Sequence, residues 1–361
     1  MRVLTLNPGS SSMKVSLIDN GTGVGWAAWD LSVPGAIAQA IGRWSEVDAV
    51  AVRFVHGGSQ KDPAQVDDAL LANLERLTTL APNHQPLSLR VTREVRRLLP
   101  DVPVVACFDT AFHARMPEAA ARYPLPRAWT AQNRLRRYGF HGLSCQYALR
   151  RTGELLGRVP AGLQVVCAHV GAGVSVTAIR DGHGVDTSMG FTPLEGAMMA
   201  TRSGSIDPGL LLHVIQTAPM SPAEMADALF HRSGLAGMTG TDGDLRRVLA
   251  AAARGEEDAA VALDVYRHRL RREIAAAAAS LSRLDALVFT GGVAEHQPEL
   301  ITSVLDGLGV LGLRAGAVPH TDVDRIISRV GSRVPALIVR PREDLELARG
   351  AEAALARVSV R

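Results

Sequence analysis

Lysine is almost missing from this chain. Of its thirty-nine basic residues only two are lysines, Lys14 and Lys61. Cysteine is scarce as well. Cys107, Cys145 and Cys167 are an odd, widely spaced set, which argues against a disulfide framework and a zinc site and reads as reduced cytosolic thiols. Long apolar runs are lacking, and no stretch reaches the uninterrupted length of a membrane helix. No basic block stands out. The arginines are scattered, with small clusters at 134–137 and 269–272, and the net charge is +3, so the footprint of a nucleic-acid binder is absent. The start runs straight into an alternating apolar stretch without a signal-peptide pattern, and a cytoplasmic location is expected. What remains is a chain of 361 residues, 47% apolar and 21% charged, long enough for two domains with separate cores.

The most informative stretch is the first turn, Asn7-Pro8-Gly9-Ser10-Ser11-Ser12-Met13-Lys14. Residues 2–6 before it alternate as a strand, and residues 15–18 after it form a second strand, closed by the turn signal Asp19-Asn20-Gly21. Gly9 permits close backbone approach to a ligand, the serines offer hydroxyls, and free N–H groups of such a loop can face an anion. A flexible serine-rich turn is the other reading. The rare Lys14 beside the loop favours a phosphate-facing point charge. A Walker loop is excluded, because no helix follows.

Further along, residues 23–31 suit a third strand and 36–44 a short helix. Residues 47–55 read as a buried strand containing Arg53. That arginine is either an edge residue with its head in water or an anion ligand at a strand end. Helices are expected at 69–80 and 87–99, and a buried strand at 102–108 runs into Asp109, which suits either chemistry or a helix N-cap. His141 lies in a loop before a helix at 145–156, where it could equally be a packed aromatic. At 163–180 the opening device recurs: strand, Gly-rich turn, strand. Two such units about 160 residues apart suggest an internal duplication. Arg202 sits in a Gly/Ser-rich loop, which favours a binding role. Helices then dominate at 209–216, 221–231 (with Ser221 as N-cap), 245–253 and 258–284. Residues 287–290 form a strand ending in Gly291-Gly292, residues 299–308 a helix and 334–339 the last strand. The terminal helix spans 343–357, with Glu343 in its first turn as a possible dipole partner.

Together these stretches resemble the acetate kinase family, within the superfamily of acetate and sugar kinases, heat-shock chaperones and actin. The matching pieces are NPGSSSMK at 7–14, RFVHGG at 53–58, FDTAFH at 108–113, YGFHG at 138–142 and HVGAG at 169–173. They continue with SMGFTPLEG at 188–196, TRSGSIDP at 201–208, SGLAGMTG at 233–240, VFTGG at 288–292 and EDLELAR at 343–349. They run in the family's order over nearly the whole chain, and their joint match is highly specific.

The resemblance implies reversible, Mg²⁺-dependent (or Mn²⁺-dependent) phosphoryl transfer between ATP and acetate, giving acetyl phosphate and ADP. Asn7 and Glu343 would help to hold the metal. Ser10, Ser12 and Lys14 would line the phosphates. Arg53 and Arg202 would grip the substrate carboxylate and the moving phosphoryl group, Asp109 would lie against the acyl substrate, and His141 would steady the transition state. Val55, Asn83, Phe140 and Pro193 would border the acyl group. The nucleotide would meet His169, Val170, Gly171, Ala172 and Gly173 at its phosphates, and Asp244, Leu245 and Arg246 at its adenosine. Gly292, Val293, Ala294, Glu295 and His296 would bind the rest. Departures from the family pattern are Ala172 for Asn, Ala294 and His296 for Gly and Asn, Asn83 for an apolar residue, Cys145 for His, and a trimmed segment between Asp19 and Val47.

The fold implied is α/β, with two ribonuclease-H-like domains of duplicated βββαβαβα type facing across a cleft. Residues 1–112 plus 345–361 would form the first domain and 113–344 the nucleotide-binding and dimerisation domain of a homodimer, with neither nucleic acid nor membrane as a partner. The alternatives are a propionate or butyrate kinase, and an ATP-binding clamp of the chaperone or actin kind. A clamp has no use for Arg53, Arg202 and His141 beside an apolar wall.

Overall fold

The hairpins expected at the two Gly-rich turns are present. The computed structural model describes residues 1–9, 12–30, 33, 35–44, 46–316 and 323–359. In it β1 (Arg2–Pro8) pairs antiparallel with β2 (Ser12–Asp19), and β2 with β3 (Thr22–Asp30). Asn20 and Gly21, at φ 48° and 78°, form the two-residue turn between β2 and β3, a geometry that matches the twist of the strands. Lys14 lies inside β2, one residue before the expected strand start. Met13 and Val15 are fully buried on the inner face, so the period of two places Lys14 outward.

Beyond β1 the sheet turns parallel. β4 (Ala49–Phe54) runs parallel to β1, and β6 (Val104–Phe108) parallel to β4. The short β5 (Ala64–Gln65) closes the edge antiparallel, giving the order β3-β2-β1-β4-β6-β5. All five residues of β6 are buried, as a strand covered on both faces requires. One face packs on the helices Asp68–Glu75 and Gln85–Leu98 through Leu71, Leu74, Leu89 and Val95. The other takes the terminal helix Glu343–Ser359, whose Leu347, Ala348 and Ala351 meet Val3, Ala51 and Val105. The helix expected over 69–80 stops at Glu75 and resumes as a 3₁₀ turn at Thr78–Leu80. The Leu74 carbonyl is taken by the side-chain Nε2 of Gln85, 3.1 Å away.

The second sheet repeats the first. β7 (Val165–Val170), β8 (Val174–Arg180) and β9 (His183–Thr187) form the meander, with Asp181 and Gly182 as its two-residue turn. β10 (Ala286–Thr290) and β12 (Ala336–Ile338) continue parallel, and β11 (Arg325–Ile326) closes the edge antiparallel. The order β9-β8-β7-β10-β12-β11 is that of the first sheet, strand for strand, and the duplication read from the sequence is a duplication of topology.

The chain divides into two compact units. One comprises Met1–Met116, Tyr138–Tyr147 and Pro341–Arg361; the other comprises Pro117–Arg137 and Ala148–Arg340. Within the first, the helix that begins at Gly142 starts hard against the turn Asp109–His113. A Cβ on Gly142 would collide with the Asp109 carbonyl oxygen and the Phe112 side chain. Gly142→Ala should therefore cost about 1–3 kcal/mol through overpacking. Gly42→Ala, where an added Cβ meets nothing within 4 Å, should be close to neutral. Urea unfolding of the two variants checks this, and equal midpoints would remove the constraint.

Candidate active site

The parallel strands β1, β4 and β6 place three polar side chains at one end of the first sheet. Asn7 is near the end of β1, Arg53 near the end of β4, and Asp109 directly after β6. Carboxyl ends of parallel strands are where open α/β sheets bind ligands. Arg53 is the hub. Its Nη2 and Nε donate to Asp109 Oδ2 at 2.6 and 3.1 Å, and its Nη1 donates to Asn7 Oδ1 at 3.0 Å and lies 3.6 Å from Glu343 Oε2. Asn7 Nδ2 in turn donates to that Glu343 oxygen at 2.6 Å. The edge-strand reading of Arg53 is thus overturned: β4 is central, and the side chain is 14% exposed. Asp109 makes no side-chain cap bond to the turn Asp109–His113 that it opens; its Oδ2 takes two bonds from Arg53. Glu343 opens the terminal helix but also faces Asn7 and Arg53.

Electrostatics make this group interdependent. Burial works against the charge on Arg53, but Asp109 and Glu343 outweigh it and hold the guanidinium pKa above its ordinary value. Burial pushes the Asp109 carboxyl up, and the negative Glu343 adds to this; Arg53, with help from the Leu143 N–H, opposes them. Asp109 Oδ1 is buried with no hydrogen-bond partner among the described residues.

Beside this cluster lies the turn carrying Phe140 and His141. Gly139 has φ 74° and His141 φ 57°, the left-handed region that costs a side-chain-bearing residue energy and clusters at functional positions. Two buried histidines brace the turn. His113 Nε2 bonds the Phe140 carbonyl at 3.0 Å, and the His56 ring meets Tyr138 and Phe140 edge-on, with centroids 4.4 and 5.9 Å apart. Burial depresses both imidazoles to about 4, so they are neutral near pH 7. The sequence reading passed over both, although they sit inside the quoted RFVHGG and FDTAFH stretches. Val55 and Phe140 are buried nearby in the chain fold, whereas Asn83 is exposed in the turn before Gln85. Lys14 and Ser12 are exposed on β2, and Ser10 lies outside the described residues.

The second unit carries the remaining candidates. Arg202 is half-buried, and no carboxylate pairs with it among the described residues. Its Nη1 donates to the Pro193 carbonyl at 3.1 Å, and burial lowers its pKa. His169 and Val170 end β7, and the turn Gly171, Ala172, Gly173 follows with Gly171 N–H donating to Gly173 O at 3.0 Å. Gly291, at φ 92°, folds the end of β10 onto Val170 so closely that a Cβ would lie 2.7 Å from its carbonyl oxygen. Gly292, Val293, Ala294, Glu295 and His296 form one short helix, with Glu295 paired to Arg340 at 3.1 Å. Asp244 caps the helix Leu245–Ala253 and binds Arg246 Nη2 at 2.5 Å, an interaction that holds its pKa at about 2. Local structure thus already employs Asp244 and Arg246.

Comparison with known proteins agrees over nearly the full length. A profile described as the acetokinase family matches residues 35–349. An acetate kinase of Streptomyces avermitilis is 44% identical over 307 residues, 84% of this chain and 76% of its own. The crystal structure of Porphyromonas gingivalis acetate kinase superposes with a TM-score of 0.89 at 31% identity, covering 98% of this chain and 99% of the other. A propionate kinase from Francisella tularensis gives 0.88 at 29% identity, covering 97% and 98%.

The neutral histidines have a measurable consequence. Unfolded histidine titrates near 6.5, whereas His56 and His113 hold their neutral form down to about 4. Below pH 6.5 the unfolded chain takes up protons that the folded chain refuses, so stability present above that pH is lost as pH falls toward 4. Between pH 7 and pH 5 the loss should be about 1–2 kcal/mol per histidine. Urea midpoints of the parent and His113→Asn at the two pH values test this; the variant should lose less on acidification, and parallel losses would refute it.

Proposed function

The chain belongs to the acetokinase family, and from that premise we propose how its residues move a phosphoryl group between ATP and the carboxylate of acetate, giving acetyl phosphate and ADP. The observation that carries the reading is the cluster of Asn7, Arg53, Asp109 and Glu343 at the ends of adjacent parallel strands. In the forward direction an acetate oxygen bonds to the γ-phosphorus, the bond to the β–γ bridging oxygen breaks, and ADP leaves with that electron pair. Acetate is ionised at neutral pH, so the step needs no strong base, and Asp109 orients Arg53 without accepting a proton. Positioning and charge neutralisation are then the protein's main tasks.

A divalent cation fits the donors present. Mg²⁺ is commonly bound by one or two carboxylates, with substrate phosphates and water completing its shell. Glu343, the Asn7 amide oxygen and the buried Asp109 Oδ1 are a set of that kind. Bound there, Mg²⁺ would neutralise phosphate charge. Arg53 and Arg202 would hold the carboxylate and the equatorial oxygens, and His141 would donate to the same oxygens. Val55, Phe140 and Pro193 would border the methyl group, with the exposed Asn83 at the margin. Ser10, Ser12 and Lys14 would meet the phosphates. On the nucleotide side His169, Val170 and the turn Gly171, Ala172, Gly173 would meet the phosphates, residues Asp244, Leu245 and Arg246 would flank adenosine, and Gly292–His296 would complete the site.

The likeness to a propionate kinase keeps the three-carbon acid as the second reading. Formation of acyl hydroxamate from ATP, Mg²⁺, hydroxylamine and each acid decides between them. Acetate should exceed propionate and butyrate, and no product from any acid would end the kinase reading. Arg202→Lys should raise the barrier by roughly 2–4 kcal/mol, mainly in kcat, because an ammonium cannot reproduce a fork that binds two oxygens. Near-parent turnover would make Arg202 structural.

We further propose a homodimer through the second unit. The helix Pro208–Thr217 contains Leu210, Leu211, Leu212, Val214 and Ile215, yet none of its residues is buried; Leu210, Leu212 and Ile215 are 51%, 62% and 43% exposed. A helix this apolar normally lies under another surface. The neighbouring Pro222–His231 also buries no residue. A second copy would cover both. Leu212→Arg should halve the mass seen by light scattering; an unchanged mass would place the interface elsewhere. Among the described residues no helix is long and apolar enough to cross a membrane. A cytoplasmic location is part of the proposal.

A further inference from the structure

The loop 188–196 carries Pro193, and its shape is controlled by two side chains from the short segment that precedes Tyr138. Tyr123 donates its hydroxyl to Glu195 Oε2 at 2.5 Å and accepts the Phe191 N–H at 2.8 Å. Arg137 donates Nη2 to Glu195 Oε1 at 2.7 Å, and Nη1 to the carbonyl oxygens of Thr187 and Ser188 at 3.1 Å each. Its guanidinium also lies over the Tyr123 ring, 5.4 Å from the centroid. The loop is thus tied at residues 187, 188, 191 and 195. Gly190 belongs to the same device, because a Cβ there would collide with the Glu195 carboxylate and the Tyr123 hydroxyl. At its far end, Gly196 exchanges bonds with Ser205: its N–H donates to Ser205 Oγ at 3.0 Å, and its carbonyl accepts the Ser205 N–H at 2.8 Å.

The tied loop presents the Pro193 carbonyl to Arg202 Nη1. This arrangement has an electrostatic logic. An arginine that must grip an incoming anion needs a fixed direction without a resident carboxylate, which would neutralise it in advance. A neutral carbonyl supplies direction and leaves the charge intact. Glu195, the acid of the loop, is engaged by Arg137 and Tyr123. We infer that Tyr123, Arg137 and Glu195 are positioning residues that aim Arg202 and set the Pro193 wall of the acyl pocket. The inference rests on the phosphotransferase reading for the roles of Arg202 and Pro193.

The test uses the full-length protein, with Tyr123→Phe and Glu195→Gln each made in the parent and in Arg202→Ala. Both substitutions keep side-chain volume, and Tyr123→Phe keeps the ring beneath Arg137. Displacing a gripping group by about an ångström costs up to 10²-fold, so each variant should lose roughly 10- to 100-fold in kcat/KM for acetate. The preference for acetate over propionate should fall with it, since the pocket wall shifts. In the Arg202→Ala background the same substitutions should cost less than about threefold, because residues that act through one another are non-additive. A purely structural role would give equal losses in both backgrounds and an unchanged acid preference, and either result overturns the inference. Unchanged kinetics in both variants would overturn it as well. A parent that makes no acetyl hydroxamate would instead defeat the underlying reading.

Discussion

A guanidinium held inside a central β-strand is the constraint on which the first unit depends. Arg53 belongs to a strand otherwise made of apolar residues, and its side chain is nearly removed from water. Such a charge is tolerated only when partners replace its hydration, and removing one partner of a buried pair typically costs about 3–5 kcal/mol. Its partners come from β1, from the turn after β6, and from the first turn of the last helix. The ion pair therefore requires the two ends of the chain to meet, with residue 7 bonded to residue 343. Gly350 serves the same end, since a Cβ there would lie 2.8 Å from Cys107 Sγ and push the helix off the sheet. In the proposed reaction, binding chemistry and fold closure share one set of side chains.

The two arginines singled out from the sequence differ in their electrostatic state. Arg53 already faces two carboxylates, so an arriving anion gains little from its charge unless a cation first engages those carboxylates. Arg202 faces a carbonyl and a thioether, with Met199 Sδ at 3.7 Å, and burial makes its charge costly to hold. An anion beside it relieves that cost. In the proposed reaction Arg202 is accordingly the stronger electrostatic contributor, while Arg53 supplies geometry and links the metal donors to the acyl site. Arginine suits both tasks because its planar fork bonds two partners in fixed directions. Two lysines among thirty-nine basic residues are consistent with a chain that relies on such forks, at Arg137 and Arg151 as well as here.

Much of this was legible because its causes are local. Largely apolar runs mark β4, β6, β7 and β10, and Asn-Gly and Asp-Gly close the β2–β3 and β8–β9 turns with left-handed residues. Arg53 and Asp109 drew attention as polar residues at the ends of apolar strands and Glu343 as a carboxylate opening a helix, while Asn7 came in through the family resemblance, which set it beside Glu343; the hydrogen bonds among the four come from the structure. Most of the misses have non-local causes. Glu75 ends a helix where a side chain ten residues on captures a carbonyl. Lys14 looked like a loop residue because the serines before it hide the alternation that Met13 and Val15 continue. The bonds from Tyr123 to Phe191 and from Arg137 to Glu195 join residues far apart in sequence, so no local pattern announces them.

The duplication separates two kinds of chemistry on one topology. At the ends of β1, β4 and β6 the first unit places charged and amide side chains. At the ends of β7 and β10 the second places glycines: Gly171 and Gly173 after one strand, Gly291 and Gly292 after the other. Gly291 is obliged to be glycine by its φ and by its approach to Val170, so the turn presents backbone where the first unit presents side chains. Backbone N–H groups bind polyphosphate without a charge that must itself be desolvated, whereas a small carboxylate and a metal ion need charged, directional partners. In the proposed reaction the strand ends of the second unit would serve the nucleotide, and those of the first the metal ion. Ala172 fits this division: its exposed methyl adds no polar group to the turn.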